Sequence, residues 1–168
     1  TTVRNNYIYT LLEDRQGRLW VGTAEGLDLF DRDTETFRHV RTGQEYIRDI
    51  VQSIAQDAHG DIWVAHNHGV VKLTFTGGPA DEGLPACTSK NHLAGTCFVS
   101  TDRSGVIWVG QLDLAGFRIR PDHAGNDLID TLHLDLPAGT VRTGRRRSDL
   151  TGLTVVEDTA NRRLYGLF

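Results

Sequence analysis

His66 and His68 flank a single asparagine in the run His66-Asn67-His68. Imidazoles two residues apart share one face wherever the chain continues as a strand, and neutral imidazole nitrogens contact ligands or metals. The plainer alternative is a polar turn carrying two exposed imidazoles. The letters H-N-H have no nuclease meaning without a surrounding metal-finger motif. Cys87, His92 and Cys97 form a second constellation. Their C-x4-H-x4-C spacing lacks the paired C-x2-C of recognisable zinc sites, and no fourth ligand stands nearby. A disulfide between Cys87 and Cys97 would contribute roughly 2–3 kcal/mol in an oxidising compartment. Free thiols and a metal contact remain the alternatives. Arg142, Arg145, Arg146 and Arg147 make the one basic cluster. It suits an acidic ligand or a lipid headgroup, or it is a solvated loop.

Catalytic motifs are missing: the sequence has no G-x-S-x-G, no H-E-x-x-H and no phosphate-cradling glycine loop. Glu25, Asp28 and Asp31 could line a pocket, but most carboxylates fall in turns or beside arginines. With 18 Lys and Arg against 22 Asp and Glu, the 168-residue chain carries a net charge of −4. That balance, without aromatic interleaving of its basic residues, argues against a nucleic-acid binder. No apolar run approaches the roughly 18 residues of a membrane span. The 18 glycines beside only 4 prolines fit many tight turns better than disorder.

A repeat supplies the turns. Trp20, Trp63 and Trp108 recur about every 45 residues, inside the phrases EDRQGRLWVGT, QDAHGDIWVAH and TDRSGVIWVGQ. Asp14, Asp57 and Asp102 stand six residues before each tryptophan, and Gly17, Gly60 and Gly105 three before. A weaker fourth copy, EDTANRRLYGL, holds Asp158 in the aspartate place. D-x-x-G predicts a hairpin turn, because Asp accepts backbone N–H groups two or three residues on and Gly takes positive φ. Strands are expected before each turn, at Ile8–Glu13, Val51–Gln56, Cys97–Thr101 and Leu153–Glu157. Others follow it around each tryptophan, with third strands at GLDLF, GVVKL and GFRIR. Fourth strands fit Thr36–Arg41 and Leu128–Leu136, and none can be placed after Leu73. Helical periodicity over residues 45–56 competes with the strand at Val51–Gln56, and the repeat decides for the strand.

Units of three or four antiparallel strands at this period predict an all-β chain, a β-propeller of about four blades with the last incomplete. The blades span about 5–42, 48–78, 96–137 and 150–168, with an insertion loop at 79–95. The whole, 1–168, is a partial propeller whose remaining blades come from the same chain or another copy. A strand edge after Leu167 would invite pairing or aggregation.

The phrase D-x-x-G-x-[LI]-W-V-G-T followed by G-L resembles the two-component regulator propeller repeat. Asp14, Gly17, Leu19, Trp20, Val21, Gly22, Thr23, Gly26 and Leu27 fit it throughout. The second copy replaces the Thr-rich turn with His66-Asn67-His68, and the third adds two residues before Gly116. The resemblance implies an arc of a larger, seven-bladed propeller in the periplasmic or extracytoplasmic part of an inner-membrane protein. It implies a ligand-sensing role, with a carbohydrate ligand, a homodimer of the full receptor, and a histidine kinase or diguanylate cyclase output elsewhere.

The recurring Asp, Gly and Trp are structural on this reading, since one active site does not need its residues copied three times. Ligand contacts are expected where the copies differ, at His66, His68, Gln111 and Asp113. No catalytic residue, cofactor or metal centre is assigned. The competing readings are a propeller-fold polysaccharide lyase or hydrolase, and a protein-interaction scaffold.

Overall fold

The computed structural model describes residues 2–42, 45–76, 87–95, 97–111, 116–122, 124–132, 154–158 and 163–167. Of these, 41–42, 45–46, 87, 97, 132, 154–158 and 163–167 are described as backbone only. Among the described residues every regular element is a strand. Among the described residues no helix is long and apolar enough to cross a membrane.

Three four-stranded antiparallel meanders carry the fold. The first comprises β1 (Ile8–Glu13), β2 (Leu19–Thr23), β3 (Gly26–Asp31) and β4 (Thr36–His39). A short hairpin, β5 (Arg41–Thr42) and β6 (Glu45–Tyr46), leads to the second sheet. That sheet comprises β7 (Val51–Gln56), β8 (Ile62–His66), β9 (Gly69–Phe75) and β10 (Cys87–Ala94). The third is β11 (Cys97–Thr101), β12 (Ile107–Gln111), β13 (Gly116–Arg120) and β14 (Leu128–Leu132). A separate pair, β15 (Thr154–Asp158) and β16 (Arg163–Leu167), follows. The first strands approach one another in order, β1 against β7 and β7 against β11. These are propeller blades in an open arc.

The strand at Val51–Gln56 overrides the local helical period, as the repeat requires. The expected insertion loop at 79–95 is corrected in its second half, where Cys87–Ala94 pairs with β9 as the outermost strand of the second blade. This outer strand is not buried on both faces, so its sequence is polar rather than alternating: Thr88 to Asn91 are exposed and only His92 and Leu93 turn inward. The fourth strand of the first blade stops at His39, and Arg41 belongs to β5.

The D-x-x-G turn is built identically three times. Asp14 Oδ1 accepts the backbone N–H of Gln16 and Arg18, Asp57 Oδ1 those of His59 and Asp61, and Asp102 Oδ1 those of Ser104 and Val106. The other oxygen, Oδ2, accepts the indole Nε1–H of Trp20, Trp63 or Trp108, each time at 2.8 Å. One carboxylate thus closes the turn and anchors the core tryptophan. This explains why Asp and Trp recur together at a fixed separation.

Alternation along each strand builds the interfaces between blades. Trp20, Leu27 and Leu29 of the first sheet pack with Ile62, Val64, Val71 and Leu73 of the second. The intervening residues of the second sheet, Trp63, Ala65 and Val70, turn the other way onto Val99, Ile107, Val109 and Ile119 of the third. The middle sheet is therefore apolar on both faces and reads as near-continuous runs (IWVA, GVV). Full burial of each such side chain stabilises by about 1.5–3 kcal/mol. Val99 N–H, on the free edge of β11, donates to Ser53 Oγ of β7 at 2.7 Å and ties the inner strands together. On the first sheet, Leu11 stands in the register place that Ile54 holds in the second. Ile54 is buried, whereas Leu11 is 60% exposed beside exposed Tyr9 and Ile8.

Candidate functional site

The two ends of the blades differ in kind. One end carries the three uniform Asp turns. At the other lie the hairpins from β2 to β3, β8 to β9 and β12 to β13, and here the copies diverge. In the first, Thr23 Oγ1 donates to the carbonyl of Gly26 at 3.0 Å and closes the turn upon itself. Glu25 of the same turn accepts from Asn5 Nδ2 at 2.9 Å. Register places His66 where Thr23 stands and Gly69 where Gly26 stands.

In the second copy the closing hydroxyl is replaced by histidine, and the side chains reach elsewhere. Asp49, just ahead of β7, takes both imidazoles on one oxygen: His66 Nδ1 lies 3.0 Å and His68 Nδ1 2.6 Å from its Oδ2. The backbone N–H of His68 also donates to that atom at 3.2 Å. The other oxygen, Oδ1, is held by Ile50 N–H at 2.8 Å. Asn67 between the histidines accepts from Gln52 Nε2 at 2.7 Å. Gln52 sits at the β7 irregularity between Val51 and Ser53, which frees its side chain to reach the turn. The His66 and Asp49 side chains are 16% and 15% exposed, whereas His68 is 84% exposed. Burial pushes the Asp49 carboxyl up, but the hydrogen bonds from His66 and His68 outweigh it and hold the group below the usual carboxylate range.

Asp49, His66 and His68 thus offer one carboxylate oxygen and two imidazole nitrogens within 4.8 Å of one another, a set that could hold a metal ion. Sequence reasoning missed Asp49. Its signal was available: in the repeat frame it occupies the place of Asn6, and an acid there faces the His-Asn-His turn.

Two open depressions flank this cluster. A groove of about 350 Å³ is lined by His66, His68, Asn91, His92 and Leu93 among others. A cleft of about 490 Å³ lies over the first blade, lined by Arg4, Ala24, Glu25, His39 and Arg48. Beneath it, buried Asp28 contacts His39 Nδ1 at 2.7 Å and accepts the Arg4 backbone N–H at 2.8 Å. Arg48 of the cleft immediately precedes Asp49 of the cluster. Asp31 lies apart from Glu25 and Asp28. It binds Arg38 at 2.8 Å near the hairpin from β3 to β4, and that hydrogen bond with those of the Thr34 and Asp33 N–H groups lowers its carboxyl to about 2.

Of the other expected contacts, Gln111 lies at this same end, where its Nε2 donates to the Ala94 carbonyl at 2.7 Å. Asp113 and the Arg142, Arg145, Arg146 and Arg147 cluster lie outside the described residues. So do the side chains of Cys87, Cys97 and Asp158. His92 points inward, with its ring 4.8 Å from that of Trp63.

Behind the groove, a buried polar cluster joins the second and third sheets. Lys72 Nζ lies 2.8 Å from Asp127 Oδ1, 3.2 Å from Asp61 Oδ2 and 3.0 Å from the Asp122 carbonyl. His92 Nε2 stands 3.1 Å from Asp127 Oδ2, without a well-directed hydrogen bond.

Comparison with known proteins decides which architecture this is. Residues 2–25, from the segment before β1 through the Asp14 turn to Glu25, match the family described as two component regulator propeller. That segment is similar to one repeat of the family. A crystal structure of the extracellular domain of BT4673 from B. thetaiotaomicron, described as a one-component system, shares its fold. The TM-score is 0.60 at 14% identity, over 98% of this chain and 20% of that one. This chain therefore spans about one fifth of that structure's length. A second BT4673 structure, described as the extracellular domain of a hybrid two-component system, aligns at a TM-score of 0.46 with 13% identity. It covers 99% of this chain and 26% of that one. The comparison with curated proteins finds no match.

Proposed function

We propose that this propeller segment belongs to the ligand-sensing, periplasmic part of a bacterial signal-transduction receptor, and that it takes a saccharide. The observation that carries the reading is where the repeat varies. The Asp-Gly-Trp turns at one end are alike, whereas the opposite turns exchange Thr23-Ala24-Glu25 for His66-Asn67-His68 and then for the Gln111 turn. The first two of those turns each border a depression, lined by His, Arg, Glu and Asn side chains among others. Such groups donate and accept toward vicinal hydroxyls, and largely apolar rather than polar linings would be expected for an apolar ligand.

The remaining blades, from the same polypeptide or another copy, would complete the ring, with a homodimer of the receptor carrying the response. Signalling would follow from differential binding, the ligand favouring one packing of the propellers over another. The segment itself binds without turnover. The acid and base groups that meet at this end, Asp49 with His66 and His68 and Asp28 with His39, are engaged with one another. A lyase or hydrolase is the competing reading, and product formation would favour it.

Calorimetric titration of the intact sensor region with an oligosaccharide panel, with products followed chromatographically, tests this. One class of saccharide should bind and be recovered unchanged, and Arg48→Ala and Gln111→Ala should each weaken it. Released product would shift the reading to a lyase or hydrolase. Failure of the whole panel, alongside capture of a defined protein partner, would shift it to a scaffold.

A further inference from the structure

We infer that Asp49, His66 and His68 form a binding site for one divalent transition-metal ion of the Zn²⁺ class, with an open coordination position on the adjoining groove. The inference is independent of the sensing reading, since it rests on three side chains and not on the saccharide.

Three ligand atoms already converge on one point. His66 Nδ1 and His68 Nδ1 both face the same carboxylate oxygen, Asp49 Oδ2, and the three lie within 4.8 Å of one another. As hydrogen-bond donors to that oxygen, both imidazoles must carry a proton on Nδ1. A dication taking the place of those protons would receive a lone pair from each Nδ1 and from the carboxylate oxygen.

Geometry agrees. Ligands at about 2.0–2.2 Å from a tetrahedral Zn²⁺ stand about 3.4 Å from one another. The contacts of 3.0 and 2.6 Å are tighter, so uptake requires an outward shift of several tenths of an ångström. The most exposed ligand, His68, is the one free to make it. Asp49 and His66 form the fixed half, with the carboxylate oriented by Ile50 N–H and the intervening turn by the bond from Gln52 to Asn67. Supporting hydrogen bonds of this kind orient ligands in metal sites generally.

Donor type selects the metal. Two imidazoles and one carboxylate suit Zn²⁺ and its neighbours, whereas Ca²⁺ and Mg²⁺ take all-oxygen sets. Three protein ligands leave a fourth position, and both histidines line the 350 Å³ groove. A metal there would present a Lewis-acidic position to whatever enters.

The experiment is calorimetric titration of the chelator-treated full protein carrying these residues with ZnCl₂ alone, beside His68→Ala, Asp49→Asn and a His59→Ala control. His59 belongs to an Asp turn at the opposite end, and exposed His68 can be shortened without disturbing the fold, which circular dichroism verifies. Loss of even an outer-shell partner costs about ten- to a hundredfold in metal affinity. One Zn²⁺ equivalent per chain should therefore disappear, or weaken more than tenfold, in both cluster variants and persist in His59→Ala. No uptake by the unaltered protein, or uptake unchanged in both cluster variants, would overturn the inference.

Discussion

Lys72 of β9 reaches across the second interface between blades and donates to Asp127, ahead of β14, at 2.8 Å. Both side chains are buried, and Asp61 and His92 complete the group. Hydrogen bonds also cross between blades, from Val99 N–H to Ser53 Oγ and from Arg15 N–H to Gln56 Oε1, and this buried ion pair adds a directional constraint on how the second and third blades face one another. Removing one member of a buried pair leaves an uncompensated charge and costs about 3–5 kcal/mol. Lys72→Met should destabilise by that amount in urea denaturation. A loss under about 1 kcal/mol would mean that the blades are aligned by their aliphatic contacts alone.

The same cluster gives stability a defined pH profile. Burial pushes the His92 imidazole below its ordinary 6.5, outweighing the attraction of Asp127. The unfolded chain then takes up the proton more readily than the fold, so this contribution is full above 6.5 and lost as pH falls through the lower folded value. Burial raises Asp127, but the bonds from Lys72 and Asp122 N–H hold it below 3.8, so its contribution is lost further down. Burial lowers Lys72, but Asp127 and Asp61 raise it above 10.5 on balance, and that contribution fades only as pH rises beyond. Urea midpoints should plateau between about 6.5 and 10.5 and fall in two acid stages. His92→Phe should remove the upper stage, and an unaltered acid limb in that variant would assign the stage to another group.

The tryptophans make a different prediction. Trp63→Phe keeps most of the apolar volume but leaves Asp57 Oδ2 without its indole donor in a buried site. An unsatisfied buried acceptor costs about 1–3 kcal/mol beyond the lost area. Adding Asp57→Ala to Trp63→Phe should cost less than the sum of the two single changes, measured as a double-mutant cycle. Strict additivity would show that the two residues act separately.

Two glycines separate backbone strain from crowding. Gly17 has φ +76° with nothing near the position of a Cβ, so Gly17→Ala should cost about 1–2 kcal/mol from its left-handed backbone alone. Gly69 has φ +153°, and a Cβ there would run into the Leu93 carbonyl of β10. Gly69→Ala should be clearly the worse of the two by thermal unfolding, because the outer strand must move to admit it. Equal losses would mean that β10 yields freely.

The blades were legible because their cause is periodic. Each Asp-Gly-Trp phrase writes one hairpin, and three copies outweighed the helical period around Ile47 and Ile54. What the phrase does not contain was harder to see. The indole bond to Asp14, Asp57 and Asp102 lies between residues whose recurrence was plain but whose mutual contact was not. β10 escaped because an outermost strand needs no alternation, and Thr88 to Asn91 carry none. Asp49 and Lys72 act across elements, Asp49 on His66 17 residues away and Lys72 on Asp127 55 residues away, and nothing in their immediate neighbours marks them.

Leu11 and Ile54 occupy one register place, buried in the second blade and bare in the first. Each blade meets the next through unlike faces, its tryptophan side against the neighbour's other side. An interface of that kind is heterologous, so it cannot be satisfied by a two-fold pair. Repeated, it either closes a ring, when the rotation per blade divides the circle, or runs on as an open fibre. The bare Leu11 face is therefore matched by a tryptophan face and not by a second copy of itself, and a charge at Leu11 would block that contact without touching the buried core of the first blade.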